Sequence, residues 1–202
     1  MENTEDYILM EAEKLFMKFG IKSVTMDDIA KQISMSKKTI YTYYKDKDDL
    51  VYRLISKMLQ KDECQMTQRT KEASNAIEEV FFCMDFLKEM LAGINPTMFY
   101  DLQKYHSNAH QLMLNFHHTY VYNTVKNGLE RGILENIFRE DLNTEILATL
   151  RVSQINWSIE CDLIRSGKHS LYDVILETTI HFLFGVSTLS GHVLINKYKN
   201  LK

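Results

Sequence analysis

Seven side chains between Lys37 and Lys47 could do chemistry together. Lys37, Lys38 and Lys47 offer ammonium groups, Thr39 and Thr42 hydroxyls, Tyr41 and Tyr43 phenols. Carried on the outside of a short helix, these are the donors that phosphate oxygens and base edges accept. Residues 31–47 hold five lysines and one acid, a local charge of +4 in a chain whose net charge is −3. A basic patch on an acidic molecule can face a polyanion while the remainder is repelled by it, which fixes orientation. Lysine-bearing helix faces are often only solvated. The interleaved Tyr41, Tyr43 and Tyr44 and the tight polar turn before them argue against that reading.

The elements that must position these groups follow from the flanking residues. Thr25 can cap a helix in which Asp27 and Asp28 occupy the first turn, where negative charge suits the dipole. Met26, Ile29, Ala30 and Ile33 then recur at helical spacing and give it one apolar face. Ser34-Met35-Ser36 breaks the pattern, and Ser36 can cap a second helix, Lys37 to Tyr44, that turns Ile40 and Tyr44 inward. Upstream, Thr4 to Phe19 reads as a helix with Ile8, Ala12, Leu15, Phe16 and Phe19 as its inner stripe and Gly20 as its terminator. Val24 is placed as a staple before the Thr25 cap. Downstream, Asp46 and Asp49 open a helix whose Leu50, Val51, Leu54, Ile55, Met58 and Leu59 carry it beyond residue 55.

Phe16, Gly20, Thr25, Ile29-Ala30, Ser36-Lys37, Ile40-Tyr41, Tyr43-Tyr44, Lys47 and Leu50 together resemble the helix-turn-helix domain of the tetracycline-repressor (TetR) family of bacterial regulators. The resemblance covers roughly the first quarter of the chain. Two positions depart from it: Ser34 stands in the turn where the family often has Gly, and Lys38 where a Gly is frequent near the start of the recognition helix. The resemblance implies contacts to double-stranded DNA from Thr25, Lys37, Lys38, Thr39, Tyr41, Thr42, Tyr43 and Lys47. Lys37, Lys38 and Thr42 would face the groove, Tyr41 and Tyr43 would reach the backbone through their hydroxyls, and Thr25 and Lys47 would meet phosphates. It also implies a homodimer on a palindromic operator. A ligand-binding and dimerisation domain over 61–202 would follow a DNA-binding domain over 1–60.

Seven glycines and one proline in 202 residues leave few turn-makers for hairpins, so the chain is expected to be all-α, with about nine helices. Beyond the first helices, the pattern gives a polar stretch over 61–75 that holds the end of the fourth helix and a connecting loop, then helices over 76–93, 96–105 and 107–131, the last ended by Gly132. Helices over 144–166 and 171–197 complete it. Aromatic and Met residues of the middle region, Phe86, Met90, Phe99, Met113, Phe116, His117, Tyr120 and Trp157, could line a pocket for a flat apolar effector. Individually each reads equally as core, and it is the resemblance that implies a pocket. Asp85, Glu160 and His117 are candidates for polar contacts in it. The 171–197 helix is apolar nearly all round, which a surface helix of a monomer would not be. The last two helices, 144–166 and 171–197, are therefore expected to pair with their two-fold mates as a four-helix bundle, with Ile180, Phe184, Ser187 and Gly191 at the interface; burial as a central core helix is the alternative.

Several classes are disfavoured. No apolar run approaches the ~18 residues of a membrane span, and the acidic start MENTEDYILM is unlike a secretory signal, so a cytoplasmic protein without membrane contact is expected. Cys64, Cys83 and Cys161 are far apart and without a C-x-x-C pair, which suggests reduced thiols. His106, His110, His117 and His118 lack the accompanying ligands of a metal motif. There is no catalytic constellation and no phosphate-cradling glycine loop, so neither enzyme activity nor a cofactor is expected. The competing reading is a helical adaptor or cofactor-binding protein whose helix-turn-helix makes protein contacts.

Overall fold

The computed structural model describes residues 3–165 and 167–200, whose regular elements are all helices, with no strand among them. The chain divides into two compact units. The first runs through Lys61 and adds Ala92–Leu114; the second comprises Asp62–Leu91 and the chain from Asn115 on. The segment after Leu91 thus packs with the N-terminal helices, although it lies beyond the boundary expected near residue 60.

The first unit begins with α1 (Thr4–Phe19), α2 (Met26–Gln32) and α3 (Lys37–Tyr41), followed by the start of α4 (Lys47–Thr70). Ile8, Phe16, Ile29, Ile40, Tyr44, Leu50 and Leu54 close its core, each at most 2 % exposed. Added to them are Met98 and Leu102 of α6 (Thr97–Tyr105) and Ala109 of α7 (Ser107–Phe116). Gly20 ends α1 at φ +81°, and a Cβ there would stand 2.6 Å from the Thr97 hydroxyl. The Asp101 carboxylate accepts from the Lys22 amide at 2.7 Å, and the Met17 carbonyl accepts from the Asn95 amide at 2.9 Å. α6 is therefore fastened directly to the link between α1 and α2.

α4 ends at Thr70, inside the polar stretch expected to hold its end and the loop after it. KDECQMTQRT lacks an apolar stripe but is built of Lys, Glu, Gln, Met and Arg, which hold a helix by intrinsic preference. In the second unit, α5 (Ala76–Leu91) packs against α8 (Tyr122–Leu134) and α11 (Leu171–Val186) around Ile77, Phe81, Leu129, Phe138 and Leu183. Arg131 ties this unit together: it donates to Glu135 at 2.7 Å, Glu79 at 3.0 Å and the Ala73 carbonyl at 2.9 Å.

Three expected helices are interrupted. The 107–131 rod contains a π-helical turn at His117–Val121 between α7 and α8, and Gly132 lies inside α8. Gly132 stands there because the Phe138 ring covers it: a Cβ would fall 2.0 Å from that ring. The helix expected over 144–166 is α9 (Thr144–Glu160); Cys161 turns extended, and Asp162–Arg165 form a separate single turn, α10. The expected end, Ser166, lies outside the described residues. The 171–197 helix is two, α11 and α12 (Leu189–Asn200), separated at Ser187. There the chain pairs with an earlier loop: the Arg139 amide donates to Val186 O and the Thr188 amide to Ile137 O, both at 3.0 Å.

Candidate nucleic-acid interface

The helix-turn-helix forms as its caps dictate. Thr25 accepts from the Asp28 amide at 3.2 Å while the Asp28 carboxylate takes the Thr25 amide at 2.9 Å, a reciprocal cap. The Thr25 hydroxyl also donates to the Asp28 carboxylate, and this bond, with the one from the Thr25 amide, holds the carboxyl below its usual pKa. Ser34 takes the turn at φ +54°, so this position holds a side chain in the left-handed region. Ser36 caps α3 by accepting from the Thr39 amide at 3.0 Å. α3 is shorter than the expected Lys37 to Tyr44. After Tyr41 the bonds tighten to i→i+3, Thr42 to Thr39 and Tyr43 to Ile40. The turn stays anchored because Tyr44, fully buried, donates its hydroxyl to the Glu5 carbonyl at 2.9 Å.

α3 presents its outer face as follows. Lys37 and Lys38 are exposed, as are Thr42 and Tyr41, the latter 44 % accessible. Thr39 is half-buried, its hydroxyl shared with Ser36 at 2.8 Å. The Thr42 hydroxyl donates to the Thr39 carbonyl at 2.6 Å, which turns its lone pairs outward. Tyr43 is half-buried against the core edge, between the exposed Tyr41 and the fully buried Tyr44. Thr25 is exposed, its hydroxyl proton taken by Asp28.

Two lysines of this set have partners that sequence spacing did not reveal. Lys37 forms an exposed ion pair with Asp27 of α2 at 3.0 Å, and that carboxylate raises the pKa of its ammonium. Ten residues across a turn is no helical spacing, so no periodicity announces the contact. Lys47 points inward. Its ammonium donates to the carbonyls of Ile21 and Val24, each at 2.6 Å, and sits 5.8 Å above the Phe16 ring. Burial pulls its pKa below the usual lysine value, against the pull of Asp101, Asp48 and Asp28.

The residues expected in a pocket separate. Phe99 and Met113 lie in the first unit, Phe86, Met90, Phe116, His117, Tyr120 and Trp157 in the second. Phe116, His117 and Tyr120 come together at the π-turn: the Phe116 and Tyr120 rings stack at 5.1 Å and His117 Nδ1 lies 2.6 Å from Asn156 Oδ1. The Tyr120 hydroxyl meets Thr67 Oγ1 at 2.8 Å. Phe86 is buried on α5 beneath the Arg69 guanidinium, and Met90 is half-buried. Trp157 is half exposed on α9, Asp85 is half-buried and Glu160 is exposed. Among the described residues no group of three or more His, Cys, Asp or Glu side chains could hold a metal ion, and no helix is long and apolar enough to cross a membrane.

Of the residues expected between subunits, Ser187 and Gly191 are buried within the chain. A Cβ on Gly191 would lie 2.3 Å from the Ile137 carbonyl. Ile180 is buried in the second core and Phe184 is half-buried, edge-on to His192 at 5.0 Å. An exposed apolar stripe runs along α9, Ile146, Leu150 and Trp157 with Ser153 between them, and Leu189 and Val193 of α12 are exposed as well.

Residues 8–54 match the family model described as bacterial regulatory proteins, tetR family. An uncharacterised HTH-type transcriptional regulator of Bacillus subtilis, YvaF, is 31 % identical over 105 residues, which is 50 % of this chain and 54 % of that protein. The chain thus spans about half the length of that relative. The fold extends further. A transcriptional regulator of the TetR family from Agrobacterium tumefaciens superposes with a TM-score of 0.72, covering 91 % of this chain and 97 % of that one at 17 % identity. A putative transcriptional regulator from Saccharomonospora viridis, solved in complex with choline, gives 0.75 over 93 % and 100 % at 16 % identity. The capped helix-turn-helix and the match over residues 8–54 agree: this segment is of the tetR type, and the chain has the all-helical fold of the TetR-family regulator it superposes on.

Proposed function

We propose that this chain is a dimeric, cytoplasmic DNA-binding regulator, a repressor that leaves a palindromic operator when a small apolar molecule binds the second unit. The observation that carries the reading is the outer face of α3, where Lys37, Lys38, Tyr41 and Thr42 are exposed on a helix whose inner side, Ile40, is fully buried. Such a face can neutralise phosphates and meet base edges without disturbing the core beneath it. Tyr43 and Thr39 contribute from the edges, and Lys47 acts by shaping the domain.

Two copies are needed for a palindrome, and the α9 stripe supports a pairing surface. Ile146 and Trp157 are more than half exposed and Leu150 nearly so, at helical spacing and with no charged residue between Ile146 and Trp157 on that stripe. The dimer is assigned to α9 and α11, with Phe184 at its margin. Release requires the effector to prefer a conformation that DNA does not, with a coupling of ~1–3 kcal/mol acting equally in both directions. Phe116, His117, Tyr120 and Asn156 around the π-turn, with Phe86 and Met90, are the assigned effector-facing residues; π-turns recur at such sites.

The test is fluorescence anisotropy with duplexes from the DNA flanking the chain's own gene, alongside the mass in solution. A dimer that binds one such duplex over unrelated DNA supports the reading. Salt-insensitive or absent DNA binding, with capture of a protein partner through α3, favours the adaptor reading instead.

A further inference from the structure

The second unit buries a cation that none of the preceding roles uses. Arg151 of α9 is 5 % exposed, and no acid among the described residues lies within ion-pairing distance of it. Its guanidinium is met by neutral oxygens: Gln154 Oε1 at 3.3 Å, Thr178 Oγ1 at 3.4 Å and, more closely, Thr179 Oγ1. Both threonine hydroxyls give their own protons to the Ile175 carbonyl, at 3.0 and 2.6 Å, so they present lone pairs to the arginine. The Phe182 ring lies 5.8 Å from the guanidinium carbon, and Thr179 also meets the Met84 sulfur at 3.5 Å. The Nε–H and one terminal N–H are engaged by no acceptor among the described residues.

Leaving a charge in such a place costs folding free energy, and proteins nearly always set an acid beside it. Hydroxyls and a side-chain amide soften the cost without cancelling the charge. We infer that Arg151 is an anion receptor, and that the molecule it receives is a monoanion: a carboxylate on an apolar body. One positive charge among neutral groups balances one negative charge, whereas a phosphate dianion would leave a net charge buried. The remaining N–H groups suit a carboxylate, which accepts from two donors at once. The Phe182 ring beside the guanidinium and Met84 beside Thr179 suit the apolar body. Burial with no acid to oppose it pulls the Arg151 pKa down to about 10, which still leaves the group charged at neutral pH. The inference rests on the second unit being effector-binding and names the effector's chemistry.

The experiment is calorimetric and thermal-shift titration of the full chain, without DNA, using octanoate, octanamide and octylamine as probes. Octanoate is expected to bind and raise Tm, and the neutral and cationic analogues are not. Arg151→Met is expected to keep or raise Tm, since it removes an unbalanced charge, and to weaken octanoate by at least about tenfold. Should Arg151→Met fail to fold, Arg151→Lys keeps the charge without the planar fork and is expected to bind octanoate detectably but more weakly. The inference is overturned if octanoate does not bind the parent chain, if octanamide binds equally, or if Arg151→Met, or Arg151→Lys in its place, leaves octanoate affinity unchanged. It is equally overturned if Arg151→Met dissociates a dimer that octanoate never affects, which would make an acid of a second copy the counter-ion. DNA binding is measured separately. Octanoate binding by a chain that ignores DNA would sink the regulator reading and leave the receptor standing.

Discussion

Asp27 of α2 holds Lys37 of α3 by an ion pair of 3.0 Å across the turn. The same contact that braces the two helices neutralises the first cation of the outward face. Exposed pairs of this kind are weakly held and screened by salt, so a phosphate can take the lysine from its acid. Asp27→Asn is therefore expected to tighten DNA severalfold at low salt, and Lys37→Ala to weaken it on every sequence. The salt slope should fall by about one for Lys37→Ala. Anisotropy titrations from low to moderate salt read both. An Asp27→Asn protein that binds no better than the parent would show that Lys37 does not reach the duplex.

Lys47 should behave otherwise. Its ammonium closes the α1–α2 link by holding two carbonyls, Ile21 and Val24. Truncation to Ala leaves those carbonyls short of a charged donor and is expected to cost about 1–3 kcal/mol of stability. The salt slope of DNA binding should hardly change. Urea denaturation and salt titration of the same variant separate the two roles. A flattened slope with unchanged stability would return Lys47 to the phosphates.

Backbone conformation provides a paired test of opposite sign. Ser34 adopts φ +54°, a conformation that glycine holds without penalty, and Ser34→Gly is expected to stabilise the chain by up to ~1 kcal/mol. Gly20 combines φ +81° with the Thr97 hydroxyl 2.6 Å from where a Cβ would lie. Gly20→Ala should cost about 1–3 kcal/mol. Thermal midpoints compare them directly, and Gly20→Ala melting with the parent would contradict the packing described.

The legible parts of this chain are those set by local rules. Thr25 and Ser36 cap the helices their sequence neighbourhoods announce, and α1 spans Thr4–Phe19 as its apolar spacing requires. Ile40 and Tyr44 turn inward for the same reason. What escaped is non-local. Lys47 looks like any surface lysine until the carbonyls of Ile21 and Val24 close over it. Gly132 looks like a helix stop until Phe138 folds back onto it. Arg151 sits in a helix with no distinct apolar face, where nothing in the spacing distinguishes a buried arginine from a solvated one. Trp157, an expected pocket aromatic, lies on the outer side of that same helix.

The crossing of residues 136–139 with the break after α11 reaches beyond architecture. Arg139 and Thr188 give their amides to Val186 and Ile137, and the Thr188 hydroxyl reaches the carbonyls of Asn136 and Ile137 at 3.1 and 3.2 Å. α12 is thereby fastened to a loop some fifty residues earlier, not merely continued from the helix before it. Opening one side strips protection from the other, so the two segments should exchange their amide hydrogens with a common opening free energy, as one cooperative piece of the molecule.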